Sequence, residues 1–555
     1  MAHTKTALGL VGVGLAAALA LAGCGTPTSP TTTPPSNQSS TPATTAPTSA
    51  APGTTSNFSD AQKFAIRQAI ASSVDRTALS TQVYKGQYSP LCSYIPDGYV
   101  GANTAVCDAY GSTPDKAKAA KYLSDAGIAT PVTLSIQYNP DHYGASSDQE
   151  YGLIKQQLES TGLFTVNLQS TEWVTYAKER TKDAYPIYQL GWFPDFPDAD
   201  NYLSPFFAPN NFLGNHFEAA DVTAALTAEV TETDPAKRTQ MIQDIQTLLA
   251  TKYLSTLPLL QGSQWAVSAP DVTGINLGVD ENLHFNTIVK PGTDQVTIGT
   301  TDKLTTLDPA GSYDHGSLAL EVQVYSFLVS FVPGQNTPQP DAAQSCSFTQ
   351  PTVYTCKLKP DLKFANGHAL TSSDVKFSYD RVMKINDSNG PASLLGNLAS
   401  VDAPDPLTVN FNLKAANDQT FQQILATSAG PIVDEEVFPA DKILADEAIV
   451  DAKATSGPYE ITSYTKNDTV ELAPYAGYIG GQSKPANAVV TQKTFTDATN
   501  LKLSVTNGDI DVAYRSLTPT DIESLKADAK VKVWSAKGGE IRYIVFNLNT
   551  MPNGS

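Results

Sequence analysis

Apolar and polar residues change their spacing several times along the chain, and each spacing predicts an element. The stretch SDAQ at 59–62 is typical of a capping box, and Ile66, Ile70 and Val74 then recur on one side of a helix. Residues 132–138, VTLSIQY, alternate between apolar and polar side chains, as a half-buried strand does. The pattern therefore begins with a helix and continues into a sheet.

Two further helices are predicted around this strand. The segment 113–127, TPDKAKAAKYLSDAG, has Thr113 at the position of a cap and Gly127 at the position of a stop. A second helix is predicted over roughly 148–160, ended by Gly162.

Short apolar runs elsewhere predict more strands, at 164–168, 185–192, 257–266, 294–300, 408–413 and 540–548. Strands that alternate with helices indicate an α/β lobe with parallel strands. Open α/β sheets bind ligands beyond the carboxyl ends of their strands, and Asp195 comes just after the strand at 185–192. Asp195 is therefore a candidate ligand-binding residue.

The first 57 residues are unlike the rest of the chain. Lys5 precedes an apolar run at 7–22, which is short for a membrane span but typical of a signal peptide. The run ends in LAGC, which resembles a bacterial lipobox and predicts lipidation of Cys24; an ordinary signal peptide is the alternative. Residues 24–57 are rich in Thr, Ser and Pro and predict a disordered tether behind a signal peptide at 1–23.

Four cysteines remain beyond Cys24. They form two pairs that are close in sequence, and an exported protein reaches an oxidising compartment. The simplest pairing is Cys92 with Cys107 and Cys346 with Cys356. Four buried thiols are the alternative.

Charge and motifs exclude several function classes. The formal net charge of −19, with no basic run, disfavours nucleic-acid binding. The six histidines are scattered without paired metal-ligand spacing, so we expect no metal site. No GxSxG, HExxH or P-loop motif occurs in the sequence. We therefore expect neither enzymatic activity nor a bound cofactor.

Several segments together resemble the family 5 solute-binding proteins of ABC importers, the dipeptide, oligopeptide and nickel class. The matching blocks are TTLDPA (305–310), LKPDLKFANGHALTSSDVKFSYDRV (358–382), SGPYEI (456–461), NGDIDVAY (507–514), VFNLNTMP (545–552), FAIRQAIASSVDRTAL (64–79) and GWFPDFPDADNYLSPFF (191–207). The resemblance implies a two-lobed, periplasmic-binding-protein-like α/β fold with mixed sheets.

The blocks stand in the wrong order for that family. Those at 291–555, which resemble the first lobe, follow those at 58–290, which resemble the second lobe and its return to the first. We therefore expect a circularly permuted fold, which is tolerated when the original ends lie close together. An artificial sequence, or halves completed by swapping between chains, are the alternatives. The permuted order also predicts that one of the two lobe crossings is cut, leaving only the crossing near 255–265 covalent.

The resemblance implies that two lobes close over a ligand by a hinge. In peptide-binding relatives the residue that matches Asp195 pairs with the free α-amine of the peptide. Gly191 and Phe193 match positions whose backbone pairs with an extended peptide, and Trp192 and Tyr313 are further candidates for the cleft. Asp198 and Asp200 are expected to be turn or cap residues, and a turn-capping role is the alternative for Asp195 itself.

The implied protein is a monomer, lipid-anchored on the extracellular face of the bacterial membrane or periplasmic. Its expected partners are short peptides and the ABC permease. A non-peptide solute, such as an oligosaccharide or a metal chelate, and a surface sensor that reuses the fold are the alternatives.

Overall fold

The structure, a computed structural model, describes residues 57–554 except 112, 141, 144 and 145, and it leaves the side chain of residue 174 undescribed. The predicted signal peptide, Cys24 and the tether up to residue 56 lie outside the described residues. Within the described part, no helix is both long enough and apolar enough to cross a membrane.

The helices are α1 Asp60–Ala71, α2 Arg76–Ala78, α3 Lys116–Asp125, α4 Ser147–Ser160, α5 Trp173–Glu179, α6 Ser204–Phe207, α7 Ala220–Val230, α8 Pro235–Leu248, α9 His315–Val324, α10 Ser372–Ile385, α11 Phe421–Ile424, α12 Asp446–Asp451, α13 Ala498–Asn507 and α14 Pro519–Lys526. The strands are β1 Ser89–Pro90, β2 Val132–Tyr138, β3 Phe164–Ser170, β4 Ile187–Trp192, β5 Thr256–Ser268, β6 Gln295–Thr300, β7 Val329–Ser330, β8 Gln339–Pro340, β9 Ala343–Gln350, β10 Val353–Leu358, β11 Leu398–Asp405, β12 Thr408–Leu413, β13 Tyr459–Thr465, β14 Thr469–Pro474, β15 Val489–Thr494, β16 Val512–Tyr514 and β17 Lys532–Phe546.

Side-chain caps fix where two of the predicted helices begin. The capping box before α1 is confirmed, because Ser59 and Gln62 bond each other's backbone amides. For α3 the predicted cap was wrong: Asp115, not Thr113, accepts a hydrogen bond from the Lys118 amide at 2.9 Å. Thr113 stands two residues too early for its hydroxyl to reach that amide.

One sheet of eleven strands runs through the molecule in the order β13-β14-β15-β6-β16-β5-β17-β4-β2-β3, with β1 paired to β5. Strand β2 is parallel to β3 and to β4, and β6 is parallel to β15 and to β16. These parallel pairs confirm the predicted α/β class. A separate four-stranded sheet has the order β11-β12-β10-β9, and β7 pairs with β8.

Buried apolar side chains divide the described chain into two lobes. The amino lobe has one core, formed by residues 65–260 together with 541–551. The carboxyl lobe comprises residues 266–534 and contains three smaller cores. The predicted two-lobed α/β fold is therefore present.

Two strands carry the chain between the lobes. Strand β5 leaves the amino lobe and β17 returns to it, and the two pair from Thr256 with Val545 to Ser268 with Lys532. The prediction that only one crossing stays covalent is wrong, because β17 runs unbroken from one lobe into the other. The described residues begin and end in the amino lobe, on the same side of this crossing.

The first helix, α1, lies next to residues 548 and 549, close to the last described residue. The Lys63 ammonium donates to the carbonyls of Leu548 and Asn549 at 2.7 and 3.2 Å. The permuted order requires such proximity of the two ends. The circular permutation stays a prediction, and so do the lobe boundaries at residues 58–290 and 291–555.

The four cysteines are paired as the sequence analysis expected. Cys92 is joined to Cys107 with 5.2 Å between their Cα atoms, and Cys346 to Cys356 with 4.1 Å. The second pair links directly opposite residues of β9 and β10. Each disulfide therefore closes a local loop rather than joining the lobes.

Removing the Cys92–Cys107 pair by a double Cys→Ala change should lower the free energy of unfolding by about 3 kcal/mol, because a loop of this length loses its closure. Urea unfolding of the oxidised protein measures the change. Peptide mapping without reductant is the control, and free thiols at Cys92 and Cys107 in the wild type would contradict the pairing.

Candidate ligand-binding cleft

Two adjoining cavities lie between the lobes. Cavity A, of about 320 Å³, is lined by the amino-lobe loop 193–197 and by carboxyl-lobe segments 279–282, 313–315 and 426–428. Cavity B, of about 670 Å³, is lined by residues 83–88 on one side and 514–520 on the other. Phe193, Glu281 and Arg515 line both cavities. Each volume is within the range of small-molecule sites.

Asp195 is held in cavity A by its own loop. Its backbone amide donates to Asn201 Oδ1 at 2.9 Å, and Asn201 Nδ2 donates to Asp195 Oδ2 at 3.0 Å. Trp192 Nε1 also donates to Asn201 Oδ1, at 2.9 Å. Asn201 thereby closes the loop and fixes the direction of the Asp195 carboxylate.

The other oxygen of Asp195 faces the opposite lobe. Tyr313 donates its hydroxyl to Asp195 Oδ1 across the cleft. Burial raises the pKa of Asp195, although the hydrogen bonds from Asn201 and Tyr313 act in the opposite direction. No ion pair among the described residues includes Asp195. Its carboxylate is thus oriented and partly buried without a cation.

The structure brings some of the predicted site residues to the cleft and leaves others out. Phe193 lines both cavities with 45% of its surface exposed, and Tyr313 lines cavity A with 37% exposed. Gly191 and Trp192 line neither cavity. The Gly191 backbone faces Arg542 of β17, and Trp192 packs on Phe206. Backbone pairing of a peptide with Gly191 stays a prediction.

Asp198 and Asp200 have structural roles, as predicted. Asp198 accepts a hydrogen bond from the Asp200 amide at 2.9 Å and caps the turn 199–202. Both of its oxygens also bind the Arg238 guanidinium, at 2.7 and 2.9 Å. Arg238 reaches the buried Glu229 as well, at 3.0 Å. This acidic cluster anchors the loop behind Asp195.

Sequence reasoning missed Arg515, which lines both cavities. It follows β16 directly, at the carboxyl end of a parallel strand, and that position was a usable signal. Its backbone has φ +59°, which is strained for a residue with a side chain. Its guanidinium is paired with Asp302 at 3.1 Å. Arg515 is a cation that a ligand in either cavity can reach.

Glu281 was also missed, and no pattern in the sequence marked it. It lies in the loop after β5, also with a left-handed backbone at φ +55°. Its Oε1 accepts the Gly539 amide of β17 at 2.5 Å. Tertiary contact with the lobe crossing thus carries Glu281 into the cleft. The described residues contain no group of three or more His, Cys, Asp or Glu placed to hold a metal ion.

The family described as bacterial extracellular solute-binding proteins, family 5 Middle, matches residues 27–214 and 337–554, which is more than half of the chain. The probable D,D-dipeptide-binding periplasmic protein DdpA of Escherichia coli K12 is 30% identical over 271 residues, covering 47% of this chain and 50% of that protein. The glutathione-binding protein GsiB of the same strain is 24% identical over 260 residues, covering 46% and 49%. The chain spans about half the length of the curated relatives it matches.

Among solved structures, the substrate-binding protein CtaP of an ABC transporter from Listeria monocytogenes is 25% identical, with a TM-score of 0.36. The match covers 42% of this chain and 46% of that chain.

The acidic cluster behind Asp195 predicts a pH dependence of stability. Burial, with the nearby Asp200 carboxylate, raises the pKa of Glu229 to about 9, although Arg238 lowers it. The side chain of a glutamate in an unfolded chain has a pKa of about 4.3. Between these values the folded state keeps a proton that the unfolded state releases, so stability falls as pH rises. Glu229→Gln removes that proton equilibrium. It should therefore become more stable relative to the wild type as pH rises from about 5 to about 8.

Urea unfolding at the two pH values measures this difference. The exposed Glu523→Gln is the matched control, since its side chain lies on the surface of α14. A difference between Glu229→Gln and the wild type that stays constant with pH would show that Glu229 is ionised in the folded protein.

Proposed function

Because the chain belongs to the bacterial extracellular solute-binding proteins of family 5, we propose that it captures short peptides between its lobes and delivers them to the permease of an ABC importer. The observation that carries this proposal is Asp195, an oriented carboxylate in the cleft with no cation of its own among the described residues.

Asp195 binds the free α-amine of the peptide. An ammonium enclosed between lobes needs a charged partner, because burying a lone charge is very costly. Asn201 keeps one oxygen of Asp195 in place, and Tyr313 bonds the other from the opposite lobe. An ammonium has three donors and can add to this arrangement without removing Asn201.

Arg515 supplies the complementary charge for the peptide carboxylate. It lines the same cavity as Asp195 but belongs to the other lobe, so one peptide would touch both. A guanidinium offers five donors, and its pairing with Asp302 uses only part of them. Phe193 lines the same cavity and adds an exposed aromatic face.

Contacts between the lobes support a closing mechanism. Phe196, from the Asp195 loop, packs against a core of the carboxyl lobe, and the Gln419 amide donates to the Val230 carbonyl at 3.0 Å. A ligand that touches both lobes stabilises this closed arrangement, because it makes contacts in the closed state that are absent when the lobes are apart.

The relatives favour a peptide over other solutes. One is described as dipeptide-binding and another as glutathione-binding. The predicted signal peptide at residues 1–23 indicates where the protein acts. Cleavage before Cys24 and lipidation there would hold the protein on the outer face of the membrane, with residues 25–57 as a spacer. An anchored monomer beside its permease is the arrangement we propose.

Calorimetry with short peptides tests the role of Asp195, each peptide measured beside its N-acetylated form. Free-amine peptides should bind, and acetylation should weaken binding by about 100-fold, since it removes one member of a buried charge pair. Asp195→Asn should produce a similar loss with the free-amine peptide and little further loss on acetylation.

The matched control is Asp244→Asn, an exposed aspartate on α8 away from both cavities. Equal binding of free and acetylated peptides would show that a residue other than Asp195 anchors the peptide. Binding of no peptide would indicate a non-peptide solute.

A further inference from the structure

Glu281 lies at the junction of the two cavities. It lines cavity A together with Asp195, and cavity B together with residues 514–520. Its Oε1 is fixed by the Gly539 amide, whereas no hydrogen bond or ion pair of the described residues reaches Oε2. A second cleft carboxylate is therefore oriented and lacks a cation.

The other acidic side chains that line the cavities are already engaged. Asp280 pairs with His284 at 3.1 Å, and Glu540 pairs with Arg542 at 2.5 Å. Asp314 caps α9 by accepting the Ser317 amide at 2.8 Å. Only Asp195 and Glu281 among these acids have neither an ion pair nor a helix to cap.

No lining cation among the described residues forms an ion pair with Glu281. Arg515 attracts the Glu281 carboxylate electrostatically, but its ion pair is with Asp302, at 3.1 Å. Lys85 of cavity B donates its ammonium to the Gln82 carbonyl at 2.8 Å, on the exposed rim. Glu281 therefore has no ion pair of its own with any described residue of either cavity.

Two neutral acceptors stand beside Glu281. Asn282 Oδ1 and Gln264 Oε1 are buried and have no hydrogen-bond partner in the described structure. Their amide nitrogens donate to the carbonyls of Asp280 and Gly278, at 3.0 and 2.7 Å, so the unpartnered atoms are the oxygens. Both residues line the cavities, and buried acceptors without donors are costly.

We propose that Glu281 binds a second cationic group of the ligand, so that preferred peptides carry a basic side chain as well as a free α-amine. The inference rests on the proposed function. A lysine ammonium or an arginine guanidinium supplies the charge that Oε2 lacks and extra donors for the neighbouring amide oxygens. Asp195 and Glu281 then each bind one of two positive charges on the same peptide.

The test compares tripeptides with lysine at the second or the third position, each with the ε-amine free or acetylated. Acetylation of the ε-amine should weaken binding to the wild type by about tenfold in at least one of the two positions, because it removes a charged partner of Glu281. Glu281→Gln keeps the acceptor for Gly539 and should bind the free and ε-acetylated peptides within about twofold of each other.

The ε-acetylated peptides also report on folding. They lack the side-chain charge, so they should bind Glu281→Gln as tightly as they bind the wild type. Glu523→Gln is the matched control and should keep the tenfold preference. Equal affinity of the wild type for free and ε-acetylated peptides overturns the inference, and the proposed function survives if α-acetylation still abolishes binding. Binding of no peptide at all overturns both.

Discussion

The antiparallel pairing of β5 with β17 is the constraint on which the rest of the structure depends. These two strands are the crossings between the lobes, and their register shifts between Lys537 and Ile541, where Gly538 and Gly539 stand. A Cβ on Gly539 would come within 2.6 Å of the Pro194 ring, so glycine is required where the Asp195 loop meets the crossing. The same residue donates its amide to Glu281. The lobe junction and both cleft carboxylates are thus built on one irregular stretch of sheet.

Ion pairs neutralise some of the charges buried inside the lobes. Arg381 and Asp308 are almost wholly buried and form an ion pair at 2.6 Å in the carboxyl lobe, and Arg238 neutralises Asp198 behind the Asp195 loop. Such pairing is expected, because a buried charge left alone is strongly destabilising. Asp195 and Glu281 line the cleft without an ion pair among the described residues, whereas the buried Glu150 and Glu321, also unpaired, are held by hydroxyl hydrogen bonds inside the lobes. Unpaired, oriented carboxylates at a lobe junction fit a protein whose partner charges arrive with its solute.

The sequence predicted most of the elements and three residues that line the cleft, Asp195, Phe193 and Tyr313. Strand Thr408–Leu413 has the predicted bounds, and the helix starting after Ser59 has the predicted cap, because both depend on residues a few positions apart. Asp195 was found because it follows a strand in a sheet that binds at its carboxyl ends. Gly191 and Trp192 line neither cavity, since their surroundings are set by β17, more than 300 residues away in the chain, and their role in binding stays a prediction.

Local structure, the family and the residue types available for binding therefore follow from the order of the amino acids alone. The tertiary structure decided which of them share a cavity, because β16 and the β5–β17 crossing carry Arg515 and Glu281 to Asp195 from distant parts of the chain. It also decided that both crossings remain covalent. Hydrophobic periodicity reports which face of an element is buried, but not which other element covers it. Contacts between residues far apart in sequence are settled only when the two lobes pack.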